Sequence, residues 1–164
     1  MALDKMTGEL AKFRYLVVGA KPAKPIARPA AFEANAKELP ELTTSTITAT
    51  VATTSETTPK MYGTPKAGTT MTWAEPTPGE GSWSGSLSGL VQPTEAERAN
   101  MLELQNALGQ YVWIEQALDG ETKPDGGYVI ITSRGRPVPV EGNVTFDIGF
   151  TGYGPNFLDT TNIA

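Results

Sequence analysis

The residues able to do chemistry in this chain are carboxylates, lysines, tyrosines and three tryptophans, because the sequence contains no histidine and no cysteine. Histidine is the usual acid–base group near neutral pH and the commonest metal ligand. Without either residue, Ser-His and Cys-His nucleophile pairs, thiolate metal sites, disulfides and most zinc chemistry are excluded. The densest group of acids is Asp119-Gly-Glu121-Thr-Lys-Pro-Asp125-Gly-Gly. A calcium loop needs oxygen ligands at fixed alternate positions and a closing bidentate glutamate. Here Lys123 stands where a ligand is wanted, so the stretch reads as a solvated hairpin loop. Arg134-Gly-Arg136 is a small basic turn, without the glycine-rich loop and helix start that phosphate binding uses. Trp73, Trp83 and Trp113 could form a platform for a sugar ring, but at strand spacing they read as core or interface anchors. No pair of carboxylates can be placed across a cleft, so glycoside hydrolysis has no support. The expectation is a chain that is not an enzyme and uses no metal or cofactor.

The elements that would position these residues are mostly strands. Glycine and proline number 17 and 13, with serine and threonine crowded between them, a composition that suits many short strands joined by turns. Phe13–Val18 reads as a first strand. Residues 20–29 (AKPAKPIARP) read as an extended, proline-rich surface connector or a strap for a partner. In residues 43–54, Thr46, Thr48 and Thr50 alternate with Ile47, Ala49 and Val51, which predicts one apolar and one hydroxylated face. Residues 55–68 read as a long loop, and 69–74 and 82–91 return to alternation. In the second of these, Trp83, Leu87 and Val91 share a side opposite Ser84, Ser86 and Ser88.

One helix is predicted over 94–108. Thr94-x-x-Glu97 makes a capping box after Pro93, Met101, Leu104, Ala107 and Leu108 form an apolar stripe, and Gly109 supplies the stop. Strands follow at 110–118, with Val112, Ile114 and Leu118 on one side, at 127–133, and at 143–151. The last has the cleanest alternation: Val144, Phe146, Ile148 and Phe150 against Thr145, Asp147, Gly149 and Thr151. A strand with one apolar and one polar face belongs to an antiparallel sheet with one side in water. There is no internal repeat.

At 164 residues the chain fits one domain, and a domain near this size buries roughly 70% of its unfolded surface, enough to do without staples. The absence of thiols fits a protein made in a reducing cytoplasm. The net charge of −5 argues against a general nucleic-acid binder. Residues 1–41 carry seven Lys/Arg against five Asp/Glu, and the remainder six against thirteen, a split that suits head-to-tail self-association. The start has no apolar run of signal-peptide length, and no stretch approaches the roughly 20 apolar residues of a membrane span, so no membrane association is expected.

The order of the pieces carries a resemblance. A polar-faced strand (GSWSGSLSGLV, 81–91) leads into the helix (TEAERANMLELQNAL, 94–108), then a strand (YVWIEQAL, 111–118), a loop (DGETKPDGG) and residues 128–155 (YVIITSRGRPVPVEGNVTFDIGFTGYGP). This resembles the tail tube proteins of tailed phages, the major tail proteins. That family's late G-x-x-x-x-T-S strand corresponds to Gly127, Thr132 and Ser133, followed by an alternating strand from Val144 to Gly152. The proline-rich stretch and the 55–68 loop depart from the pattern.

The resemblance implies a mostly β fold, an antiparallel β-sandwich or half-barrel with one flanking helix. It implies six-fold rings whose sheets join into a barrel, stacked into a tube through which DNA passes without tight binding. It implies an N-terminal arm (1–12), a tail-tube-like domain (13–155) and a C-terminal tail (156–164), with arms and long loops tying ring to ring. The partners would be other copies, a tape-measure protein and tail-tip or terminator proteins, and the location a virion tail. Ser84, Ser86, Ser88, Thr145, Asp147 and Thr151 become lumen-facing candidates; Trp83, Leu87, Val144, Phe146, Ile148 and Phe150 form the core face. Another virion β-module, such as a capsid decoration or fibre domain, or a carbohydrate-binding β-sandwich, remain the alternatives.

Overall fold

In a computed structural model, residues 11–40, 42–57, 74–118 and 121–163 are described. Most of the N-terminal arm, residues 58–68 of the long loop, Trp73 and Asp119 therefore lie outside the described residues. The rest forms one antiparallel sheet of seven strands: β1 (Ala11–Gly19), β2 (Lys37–Glu38), β3 (Leu42–Thr57), β4 (Ala74–Leu90), β5 (Tyr111–Leu118), β6 (Asp125–Gly135) and β7 (Thr145–Phe157). Their spatial order is β2-β1-β5-β6-β7-β4-β3. In a flat sheet β3 and β5 would lie about 19 Å apart, at four strand spacings. Instead the Ser45 hydroxyl of β3 donates to Gln116 Oε1 of β5 at 2.6 Å. The sheet therefore curls back on itself as an open half-barrel.

The inside of the curl is the main core. Alternation in β4 and β7 supplies Trp83, Leu87, Phe146, Ile148 and Phe150, all buried, and Val144 is half-buried just before β7. From the other flank come Phe13, Tyr15, Val112, Ile114, Val129 and Ile131. Two glycines make room for the aromatic rings. A Cβ on Gly85 would meet the Phe150 ring at 2.5 Å, and one on Gly152 would meet the Trp83 indole at 2.1 Å. The two rings meet edge to face, with centroids 6.3 Å apart.

Helix α2 (Ala99–Asn106) lies across this core, and it is shorter than the 94–108 expectation. Half of the capping box forms: Glu97 N donates to Thr94 Oγ1 at 3.3 Å, while Glu97 Oε2 accepts from the Thr94 hydroxyl at 2.8 Å rather than from the Thr94 backbone N–H. It satisfies an isolated turn, which joins the helix through Arg98 N to Thr94 O and Leu102 N to Arg98 O. Met101, Leu104 and Ala107 face the core, each of the larger two contributing about 1.5–3 kcal/mol by burial. Leu108 does not continue the stripe. The helix has ended, and Leu108 is 45% exposed beside Ile131. Tyr15 ties β1 to the helix by donating to Asn100 O at 2.7 Å; burial pushes its phenol well above the usual range, and Glu103 adds to this.

Three further expectations are corrected. Leu118 does not join Val112 and Ile114 in the core, because it falls at the open end of β5. The outer face of the sheet is not wholly in water: β5 is buried on both sides. And the flanking helix is not alone. A four-residue helix, α1 (Phe32–Asn35), places the fully buried Phe32 against Trp113 and Tyr128 on the outer face of β5 and β6. The proline-rich stretch leading to α1 runs over this face, and Ile26 packs into the same cluster. From the other end, Phe157 and Ile163 join it, the latter after a 3-10 turn at Thr160–Asn162.

Candidate functional site

The outer face has two halves of different chemistry. Over β1, β5 and β6 it is roofed by the strap (residues 20–36) and the C-terminal segment, which meet at Glu115. This carboxylate is 1% exposed. It accepts from Arg28 Nε at 2.6 Å and Nη2 at 2.9 Å, from Arg14 Nη2 at 3.2 Å, from Trp113 Nε1 at 3.0 Å and from Thr160 Oγ1 at 2.8 Å. Both guanidiniums also pair with Glu33 of α1 and lie over the Phe32 ring, 5.2 and 4.8 Å from its centroid. The hydrogen bond to Glu115 holds the Arg28 guanidinium above even its ordinary range. The hydrogen bond from Arg28 holds the Glu33 carboxyl below the usual one. Every acceptor position of Glu115 is occupied from within the chain, so it is a structural tie with no site for a substrate.

Over β3, β4 and β7 the outer face is hydroxylated, and no described residue roofs it. Strand pairing aligns it in rows. Thr44 of β3 faces Ser88 of β4, which faces Asp147 of β7, which faces Gly135 of β6. The next row is Thr46, Ser86, Gly149 and Ser133, and the next Thr48, Ser84, Thr151 and Ile130. Thr50 and Ser82 extend the ladder, their hydroxyls 3.2 Å apart. The two groups of lumen-facing candidates thus lie on one continuous surface. Ser84, Ser86, Asp147 and Thr151 are exposed, and Ser88 and Thr145 are half-buried. Thr44 and Ser133 belong to the same surface, although neither is among the lumen-facing candidates of the sequence. The threonine alternation of β3 was the available sign, but only the pairing with β4 tells which face it joins.

The chemistry of these rows is simple. Asp147 is their one ionisable group, and β3, β4 and β7 contain no lysine or arginine. Hydroxyls can bind water and each other, Glu80 of β4 continues the alternation of Ser82, Ser84, Ser86 and Ser88, and among the described residues of these strands no cation stands ready to hold a phosphate. The other sequence candidates are scattered. Glu121 Oε2 accepts from Leu118 N at 2.9 Å, tying off its own turn. Asp125 opens β6, half-buried, and burial raises its carboxyl above the usual range. Among the described residues no three acids come close enough together to hold a metal ion. Arg134 Nη1 donates to Gln105 O at 3.1 Å at the C-terminal end of α2, where a cation favours the helix dipole. Trp83 and Trp113 are enclosed, at 4% and 0% exposure, and offer no open face to a sugar.

This half-barrel, with a helix across its core and one hydroxylated outer face, has the fold of the phage tail tube proteins. It is similar, at 16% identity and a TM-score of 0.60, to the SPP1 tail tube structure determined by solid-state NMR and cryo-EM, over 98% of this chain and 87% of that one. It is similar to a chain of the virion of a native gene transfer agent particle, at 13% identity and a TM-score of 0.59, over 93% and 98% of the two chains. A chain from the tail of an empty gene transfer agent particle, refined with C6 symmetry, matches at 15% identity and a TM-score of 0.53, over 94% and 98%. No protein-family model and no curated protein matches the chain. At these identities the likeness establishes the fold.

Proposed function

We propose that this chain is a structural subunit of a virion tail tube, that it self-associates through its sheet, and that its hydroxylated face lines the channel. The observation that carries this is the continuity of the Ser/Thr rows up to an open edge. Strand β3 is sixteen residues long, has no partner on one side among the described residues, and contains no proline, lysine or arginine. Natural proteins protect such edges with those residues, or by closing the sheet. Adding a neighbour's strand to β3 closes the edge and extends the rows into a continuous wall. Six copies in a ring, with the sheets joined into a barrel, is the arrangement proposed. Residues 1–12 and the part of the 55–68 loop beyond β3, which itself takes in Ser55–Thr57, are the segments proposed to tie copies and rings together, beside a central domain at 13–155 and a C-terminal tail at 156–164.

Such a wall suits DNA passage. Each phosphate neutralised by a cation releases counterions and adds affinity, and the wall presents hydroxyls and the carboxylates of Asp147 and Glu80 instead. DNA would pass without being gripped. The role is structural rather than catalytic, and the location is the virion tail after synthesis in the host cytoplasm. The partners proposed are further copies, a tape-measure protein and tail-tip or terminator proteins. The test is electron microscopy of the purified chain at high concentration, alone and seeded with tail-tip partners. Hollow tubes are expected; a chain that stays monomeric under both conditions contradicts the proposal.

A further inference from the structure

The loop between β6 and β7 reads Arg136-Pro-Val-Pro-Val-Glu-Gly-Asn-Val144. Pro137 and Pro139 fix their own φ and remove two backbone donors, so the loop is stiff and cannot draw its valines inward. Val138 is 69% exposed and Val140 fully exposed. Single exposed apolar residues are ordinary, but two on one rigid loop present a projecting apolar knob. Beneath it are two clefts of about 950 and 480 Å³, both lined by Arg98 and Arg136. Neither guanidinium has a partner among the described residues. Of the nearby acids, Glu97 is engaged by Thr94 and Glu103 by Lys37, while Glu95 lines the first cleft without pairing with either arginine.

The opposite end of β6 has the complementary character. There a cleft of about 1060 Å³ is lined by Leu39, Leu42, Leu118 and Leu158, with Glu38, Glu121 and Asp125 among its walls; Lys12 and Lys123 are also present. Leu158 is 79% exposed. Burial raises the Asp125 carboxyl, and Glu121 adds to the effect. From this cleft β6 runs eleven residues to the knob, a rise of about 35 Å. Knob and cleft therefore stand at opposite ends of one subunit, with Arg98, Arg136 and the loop's own Glu141 at one, and three acids beside Lys12 and Lys123 at the other.

We propose that the β6–β7 loop of one copy seats in the leucine-lined cleft of the next, head to tail. Val138 and Val140 enter the cleft, and Arg98 and Arg136 approach Glu121 and Asp125. A contact between two different patches of the same chain repeats from copy to copy, as a stacked tube requires; the inference rests on the tube reading and names one of its joints. The rival occupant of the cleft is the chain's own first ten residues, which lead into β1 where Ala11 pairs with Leu118.

The test uses the absence of cysteine in the chain. Val140→Cys and Leu158→Cys are introduced together, and the assembled protein is oxidised. Thirteen residues of β7 lie between the two positions, about 43 Å of strand, whereas a disulfide needs Cα atoms within about 7 Å. No bridge can form inside one copy. A ladder of dimers, trimers and larger species on a non-reducing gel is expected, with each single variant staying monomeric because the joint pairs two different patches; dimers of a single variant would point to like-to-like contacts and overturn the joint. Tubes that form without such a ladder overturn the joint and leave the tube reading intact; a wild-type chain that never assembles overturns both. A ladder that appears only after residues 1–10 are deleted assigns the cleft to the arm and overturns the joint. As a second check, Val138→Asp/Val140→Asp should leave the monomer's melting temperature unchanged and raise the concentration needed for assembly at least tenfold. Assembly at the wild-type concentration overturns the proposal.

Discussion

Replacing Glu115 by glutamine keeps the size of the side chain and removes its charge, which isolates the electrostatic part of the tie between strap, sheet and C-terminal segment. Breaking a fully buried ion pair from one side costs about 3–5 kcal/mol, because the partner charge is left uncompensated. Here the arginine partners are 19% and 35% exposed and both retain Glu33, so water and the second carboxylate recover part of that. The amide also turns a donor toward the guanidiniums where an acceptor stood. A loss of about 2–4 kcal/mol follows, or roughly 4–16 °C in melting temperature for a domain of this size. Urea unfolding with hydrogen exchange is the assay. Residues 20–36 and 158–163 should lose protection together, since Arg28 and Thr160 share the one acceptor. A loss below about 1 kcal/mol, the value of an exposed pair, or deprotection of only one segment, would refute the view that Glu115 couples them.

Asp147→Lys should leave stability within about 0.5 kcal/mol, as exposed substitutions do, and permit tube formation while slowing DNA ejection from the assembled particle; normal ejection would remove Asp147 from the channel. Gly85→Ala should cost about 1–3 kcal/mol in urea unfolding by driving a methyl group into the Thr46 carbonyl oxygen of β3 and the Phe150 ring, and a neutral result would mean that strand and ring both have room to move. Asp125 titrates higher in the folded chain than unfolded, so its charged form opposes folding, and that penalty grows as pH rises through its range. Asp125→Asn should therefore raise the melting temperature of the monomer at pH 7 and have little effect at pH 3; the reverse dependence would contradict the burial assignment.

The parts of this fold legible in the sequence are those decided by local alternation. The Phe146, Ile148, Phe150 and Trp83, Leu87 sets lie on the core side of β7 and β4 because period two leaves no other burial. What alternation does not encode is which elements cover a sheet. Residues 20–29 look like any exposed proline-rich connector, and nothing local says that Ile26 and Arg28 fold back onto β5. One sign was present: Glu115 stands amid YVWIEQAL, a strand apolar on both sides, and a carboxylate there demands cations, which Arg14 and Arg28 supply. The helix was overextended for a similar reason. A capping box marks where a turn begins, and it does not fix how soon the regular helix follows. On the polar face the hydroxyl alternation of β3, β4 and β7 was readable strand by strand, while their union into one surface depends on antiparallel registers that no single strand contains.

The central claim is that the hydroxylated face lines a channel. A cryo-EM reconstruction of the assembled tube tests it most directly. The rows of Thr46, Ser86 and Ser133, with Asp147 beside them, are expected on the inner wall, and the Glu115 tie away from the channel. A tube whose inner wall is built from another face, with these rows turned to the outside, would contradict it.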